Sequence, residues 1–374
     1  MGSFRHRRIV LVALACGATA ASAWTASAAV PAPFIPNDRG RQNAPGGWQR
    51  DQWSFLAGPA GVDAPQAWAL LGAPRTEPGR GVTVAVLDSG VAYRDHGAAR
   101  RDPDLAGVRF VHPRDFVDRD GLPLDVNGHG THLAATIAEA TNNRRGLTGL
   151  AYGARVMPIR VLDAHLRGSA SILARGIRYA WRHGADVINL SLTFDPSIKR
   201  CAQIASVCRT ISAATRHGSL VVAAAGNDRR GHPGMPAAAP DAVSVGATTL
   251  RGCLARYSDR GADVLAPGGG GDAALAADPS CDPASPMDPA ITQSSLRRRA
   301  DGYRFGYVQR EGTSQAAAEA SAIAALLISS GLPLRPSGPL GVARRLECTA
   351  APGGHWANHG LLDAARAVDP AVTC

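Results

Sequence analysis

The sequence predicts an α/β fold: a three-layer sandwich in which a mostly parallel central sheet is flanked by helices. Two patterns and a composition point to it. Short runs rich in Val, Ile and Ala recur at 82–87, 155–161, 186–192, 220–225 and 242–246, and they do not alternate apolar with polar residues. Strands buried on both faces read this way, whereas a half-exposed strand alternates. Helix candidates at 132–140, 169–183 and 203–217 fall between the runs. Strand and helix alternating at this spacing imply right-handed crossovers and parallel strands. Two later helices are expected at about 314–328 and 361–368. The composition, 45% apolar and 19% charged, supplies a core and excludes wholesale disorder. Aromatics are only 5%, so that core is built mainly from Ala, Val, Leu and Ile.

The chain opens on a secretory pattern. Arg5, Arg7 and Arg8 precede an apolar stretch from Ile9 to about Ala21, followed by small residues at Ala21-Ser22-Ala23 and Ala26-Ser27-Ala28. Residues 1–28 are therefore expected to be a signal peptide, and the product to be secreted. The stretch is shorter than the roughly 20 residues a bilayer span takes. The later run 314–328 is also short and carries Glu319, so no membrane association is expected after signal removal. Residues 29–50, rich in Pro, Gly and Asn, are expected to lie extended over the surface. Residues 51–374 are read as one domain, because no repeat or linker divides them. Within it, 267–303 is expected to be an irregular insertion.

Six of the seven cysteines follow the signal: Cys201, Cys208, Cys253, Cys281, Cys348 and Cys374. An even count in an exported chain suggests three disulfides, with about 15 possible connectivities. Pairing of sequence neighbours gives Cys201–Cys208, Cys253–Cys281 and Cys348–Cys374. No Cys/His cluster has zinc spacing. The formal charge is +10, carried by 39 arginines and Lys199 alone. These charges are scattered, with no stripe and no aromatic or motif support, which argues against nucleic acid as partner.

Ligands of such a sheet collect beyond the carboxyl ends of its strands. Three turns there carry chemistry. Val84-Ala85-Val86-Leu87-Asp88-Ser89-Gly90 puts an acid just past a buried strand. Asn127-Gly128-His129-Gly130-Thr131-His132 puts a histidine at the mouth of a helix. Glu311-Gly312-Thr313-Ser314 puts a serine at the start of a long Ala-rich one. A serine hydroxyl is a weak nucleophile until a base takes its proton; His129 suits that task, and Asp88 would fix the imidazole tautomer. A helix N-terminus under Ser314 adds free N–H groups and a favourable field. Val221 to Asn227, a buried strand ending in Gly226-Asn227, offers a side-chain amide for a developing oxyanion.

With these motifs in this order, the chain resembles the subtilisin-like serine proteases, the subtilases, and is most similar to their thermitase-like branch. The likeness runs from Gln52-Trp53 to Leu361-Leu362-Asp363-Ala364. It implies a subtilisin-like fold and a catalytic domain over 51–374. It also implies a triad of Asp88, His129 and Ser314, with Asn227 as oxyanion donor, and peptide-bond hydrolysis through an acyl-enzyme. The implied partner is a polypeptide substrate, the protein is expected to be a monomer, and no cofactor is expected for catalysis. Ser191-Leu192 matches the edge on which the substrate is laid as an added strand. Ala225, Gly226 and Gly234 would wall a roomy slot for the side chain before the cut, with Asp228 near its rim.

The chain departs from the family at several points. Leu133-Ala134-Ala135 follows the histidine where Val-Ala-Gly is usual, and Gln315 and Ala318 replace Met and Pro after the serine. Thr193, followed by Phe194, stands where glycine is expected, which would narrow the cleft. Core-like sequence follows the signal almost at once, so folding without a covalent pro-segment is expected. Asp115, Asp118 and Asp120 sit at the spacing of a thermitase-like calcium loop, although Leu124 replaces one oxygen ligand. The competing reading is a catalytically weak or inactive subtilase-fold binding protein. An esterase is disfavoured because no Gly-x-Ser-x-Gly elbow surrounds Ser314.

Overall fold

The apolar runs become the inner strands of an eight-stranded sheet. A computed structural model describes residues 30–274, 280–284, 289–299, 302–352 and 357–374; the signal-like stretch 1–28 lies outside them. In chain order the sheet contains β1 (Thr83–Asp88), β2 (Arg109–Phe110), β3 (Arg114–Asp115), β4 (Arg155–Arg160), β5 (Val187–Leu190), β6 (Leu220–Ala224), β7 (Ala242–Thr248) and β8 (Val264–Pro267). Its spatial order is β2-β4-β1-β5-β6-β7-β8, with β3 also on β4, and every pairing within it is parallel.

Alternation along β1 explains the layers. Val84 and Val86 join one core, Ala85 and Leu87 the other. The first core lies under α3 (His129–Ala138) and α6 (Thr313–Ser329), the second under α4 (Ala170–Arg182) and α5 (Ala205–Arg216). α6 is wrapped on almost all sides, which its Ala-rich sequence permits: fourteen of its residues are buried. A bulkier helix would hold the neighbouring strands apart. The predicted helices and strands are found with end shifts of a few residues. Three further helices, α1 (Trp48–Asp51), α2 (Ala64–Leu70) and α7 (Pro339–Thr349), were not anticipated.

Two expectations are corrected. The C-terminal part of 267–303 is not irregular. Residues Ile291–Arg299 form β9, which pairs antiparallel with β10 (Gly302–Arg310) in register from Ile291↔Arg310 to Arg299↔Gly302. The arginine run disguised the strand, since its partner begins only where the suspected insertion ends. The segment 29–50 is also more than a surface strap. Trp48, in the short helix Trp48–Asp51, is fully buried, donates its indole N–H to the Pro36 carbonyl, and stacks at a tilt on Trp68. The structure pairs Cys201 with Cys208, Cys253 with Cys281 and Cys348 with Cys374. Among the described residues no helix is long and apolar enough to cross a membrane.

Candidate active site

Asp88 ends β1, and its carboxylate is fully buried. Its Oδ1 accepts the Ser89 N–H at 2.7 Å and faces His129 Nδ1 at 2.8 Å. His129 opens α3 from a left-handed Gly128 (φ 98°), a conformation that favours glycine. Gly130 is required for a different reason: a Cβ there would lie 2.1 Å from the Gly90 carbonyl oxygen. The loop holding His129 is organised by Asp125, a residue that the sequence reading passed over. One of its oxygens accepts from the Ser89 hydroxyl and the Asn127 and Gly128 amides; the other accepts from the amide and hydroxyl of Thr131. Burial pushes its pKa up against those bonds. The Asp-x-Asn spacing before the Gly-His-Gly turn was the available signal.

Ser314 lies in the first turn of α6. Its hydroxyl donates to the Ser191 carbonyl at 3.1 Å, while the Ser191 hydroxyl donates to the Ser314 carbonyl at 2.9 Å. The end of β5 and the start of α6 are thus tied by reciprocal bonds. Asn227 follows β6. Its Oδ1 accepts both the amide and the hydroxyl of Thr313 at 3.0 Å. With the oxygen engaged, the Nδ2 donor is the end left for a ligand. His129, Ser191, Leu192, Asn227 and Ser314 all line one cavity of about 520 Å³, and Leu162, Leu166, Leu173 and Phe194 give it an apolar wall. The carboxyl ends of β1, β5 and β6 therefore converge as parallel-sheet topology requires. The serine hydroxyl is on the cavity surface, bonded to Ser191 rather than to His129.

The remaining sequence candidates lie differently. Ala225, Gly226 and Gly234 are buried and do not line this cavity. The Arg230 guanidinium packs against both glycines, 3.1 Å and 2.7 Å from where their Cβ atoms would be. It is ion-paired to Asp228 at 2.5 Å and to buried Asp259 at 2.9 Å. Asp115 and Asp118 share the guanidinium of Arg160, the last residue of β4. Asp115 Oδ1 also accepts the amides of Val117 and Asp118. A hard cation needs free, converging oxygens. Here a fixed positive charge already neutralises two of the three carboxylates, and Asp120 Oδ1 caps the Leu122 amide, so the loop does not fit calcium.

Comparison with known proteins agrees with this arrangement. Residues 79–359 match the model of the subtilase family. The chain is 34% identical over 279 residues to a thermophilic serine proteinase of Bacillus sp. (strain AK1), which covers 74% of this chain and 58% of that protein. It is 38% identical over 213 residues to thermitase of Thermoactinomyces vulgaris, covering 56% of this chain and 69% of thermitase. Among solved structures, a protease from Pseudoalteromonas arctica PAMC 21717 superposes with a TM-score of 0.69 at 28% identity, over 89% of this chain and 98% of that one. Parallel sheet, strand-end site and sequence match lead to the same conclusion: the chain belongs to the subtilase family.

Proposed function

We propose that this protein is a secreted serine endopeptidase that cuts polypeptides through an acyl-enzyme, with Asp88, His129 and Ser314 as triad. The observation that carries the reading is the 2.8 Å contact of buried Asp88 with His129 Nδ1, at the wall of the cavity that also exposes Ser314 and Asn227. With Nδ1–H held by Asp88, the other ring nitrogen is free to accept a proton. Rotation of the Ser314 hydroxyl away from Ser191 gives its proton to His129 as Oγ attacks the substrate carbonyl carbon. The oxyanion that forms is met by the Asn227 side-chain amide and the Ser314 backbone N–H. Collapse breaks the C–N bond, and His129 returns the proton to the leaving amine. Water, activated by the same histidine, then releases the acyl group and restores the serine.

The Asp88–His129 contact, with Ser314 on the same cavity as His129, supports this reading over an inactive binding scaffold. Fluorophosphonate labelling tests it: the intact protein should label rapidly and Ser314→Ala not at all. Equal labelling of the two, or none of either, defeats the assignment.

Substrate preference is expected to differ from the roomy slot inferred by resemblance. The space beside Gly226 and Gly234 is occupied by Arg230, itself held by two carboxylates. Short side chains before the cut should be preferred, and Arg230→Gly should raise cleavage after Phe or Leu by about tenfold, consistent with burial of several methylenes. An unchanged profile in a peptide library would exclude this role.

A further inference from the structure

Two charged side chains that the acyl-transfer steps leave unused line the cavity, Arg310 and Glu311. Arg310 ends β10, four residues ahead of Ser314, and lines the cavity with His129. One of its terminal nitrogens lies 3.3 Å from where a Cβ on Gly128 would sit, so the guanidinium is packed against the histidine's own loop. Its Nε is buried with no hydrogen-bond partner.

Elsewhere the chain pairs such groups closely. Arg160 has Asp115 and Asp118, and Arg230 has Asp228 and Asp259. Arg345 donates to the carbonyls of Arg366, Ala367, Asp369 and Val372. None of the acids around Arg310 makes an ion pair with it among the described residues. Asp88 is bonded through Oδ1 to Ser89 and His129, with Oδ2 left without a hydrogen-bond partner, and Asp125 spends both oxygens on five donors. The Glu311 carboxylate turns toward Gly270 and Tyr257. Burial accordingly pulls the Arg310 pKa down, with only the fields of Asp125 and Asp88 opposing it.

The position of the guanidinium is held by packing. The His132 ring Nε2 faces the carbonyls of Ile291 and Val308 at 3.3 and 3.2 Å, and the Ser295 hydroxyl donates to the Gly128 carbonyl at 2.6 Å. The hairpin is thereby fixed to α3 on both sides of the catalytic loop. His132 itself is neutral, its pKa lowered to about 3 by burial and by the charge of Arg310, so it offers that charge no competition for an anion.

Direction follows from proton transfer. His129 protonates the leaving amine, so the departing half of the substrate runs past His129, and the acyl half lies along Ser191-Leu192. Arg310, against Gly128, stands on the departing side. We infer that Arg310 is a carboxylate-recognising position for the first or second residue after the scissile bond, and that the protein favours polypeptides with Asp or Glu there. This rests on the endopeptidase reading above. A planar guanidinium held in a partly dry site can bond a carboxylate through two N–H groups, which a glutamine of similar shape cannot match.

The test uses matched fluorogenic peptides that differ only in the first two residues after the cut, carrying Glu, Gln or Lys. The kcat/KM of the Glu peptide should exceed that of the Gln peptide by about tenfold, as expected for one charge-assisted contact at a half-open site, and Lys should be poorest. In Arg310→Gln the Glu-to-Gln ratio should fall to near one. Arg310→Lys should keep part of it, and Arg310→Glu should favour the Lys peptide. A wild-type ratio within twofold of one, or a ratio that survives in Arg310→Gln, overturns the inference. Dissociation constants of the same peptides for Ser314→Ala provide a separate readout. If no peptide is cut, the catalytic reading fails, while selective binding of the Glu peptide, lost on adding Arg310→Gln, still decides the role of Arg310.

Discussion

Asp88→Asn is expected to lower kcat by about 10⁴-fold while leaving the protein folded. The carboxylate is buried, and one oxygen serves both the Ser89 amide and His129 Nδ1. Asparagine fits the same space. If the amide turns its NH2 to the ring, it gives up the Ser89 bond and donates to Nδ1, which forces the proton onto the other ring nitrogen. That tautomer cannot accept the proton of Ser314. The substitution also removes the negative charge that stabilises the imidazolium formed in the transition state. The fold has less at stake, because the second Asp88 oxygen has no hydrogen-bond partner and the neutral side chain escapes the desolvation of a buried charge. Turnover of a peptide substrate and the rate of fluorophosphonate labelling should fall together, with a melting temperature within a few degrees of the parent. Activity within tenfold of the parent would show that Asp88 does not hold the tautomer, and the triad reading would fail with it.

The residues legible in the sequence share a property: each lies in a short motif where the backbone must do something unusual. Asp88 follows a run too apolar to be anything but an inner strand. His129 is bracketed by glycines because a left-handed residue and a close backbone approach flank it. Ser314 starts a helix whose Ala content fits a fully wrapped position. Such signals are local, and local patterning is what a single sequence carries. The parallel order of the sheet was readable for the same reason, since inner strands lack alternation. What was hidden depends on side-chain direction between distant segments. Arg160 answers Asp115 across 45 positions, and that pairing converts an apparent cation loop into a salt-bridged one. Arg230 is only four residues from Gly234, yet its orientation is set by Asp259. Arg310 reads as one more member of an arginine-rich stretch until the register Ile291↔Arg310 brings it to the catalytic loop. Asp125 lacked a periodic signal because its work is to satisfy backbone amides in a turn.

Glu319→Gln is expected to stabilise the protein strongly in alkaline solution and hardly at all in acid. Glu319 lies in α6, five residues beyond Ser314, and is fully buried. Its oxygens make no hydrogen bond of ordinary geometry, and only the nearby Ser54 hydroxyl eases the burial that pushes its pKa up to about 8. A carboxyl group raised in this way is protonated in the folded state when its unfolded counterpart, near 4.5, has already ionised. Its contribution is therefore favourable below pH 4.5 and is lost progressively as pH climbs toward 8. Integrated over that window the loss is on the order of 5 kcal/mol, an upper figure because local opening admits water to the ionised form. Asp38 and Asp102, both raised by burial to about 6, shift stability in the same direction at lower pH. Glutamine keeps the shape and removes the ionisation. The melting temperatures of parent and variant should nearly coincide at pH 5 and separate by about 5–10 °C at pH 9, given a few degrees per kcal/mol for a domain of this size. A difference that stays constant from pH 5 to pH 9 would show that Glu319 does not titrate within the fold. The position links stability to chemistry. The helix carrying Ser314 loses stability as Glu319 ionises. The alkaline limit of activity should then be set by unfolding around α6 rather than by the triad, and Glu319→Gln should extend it.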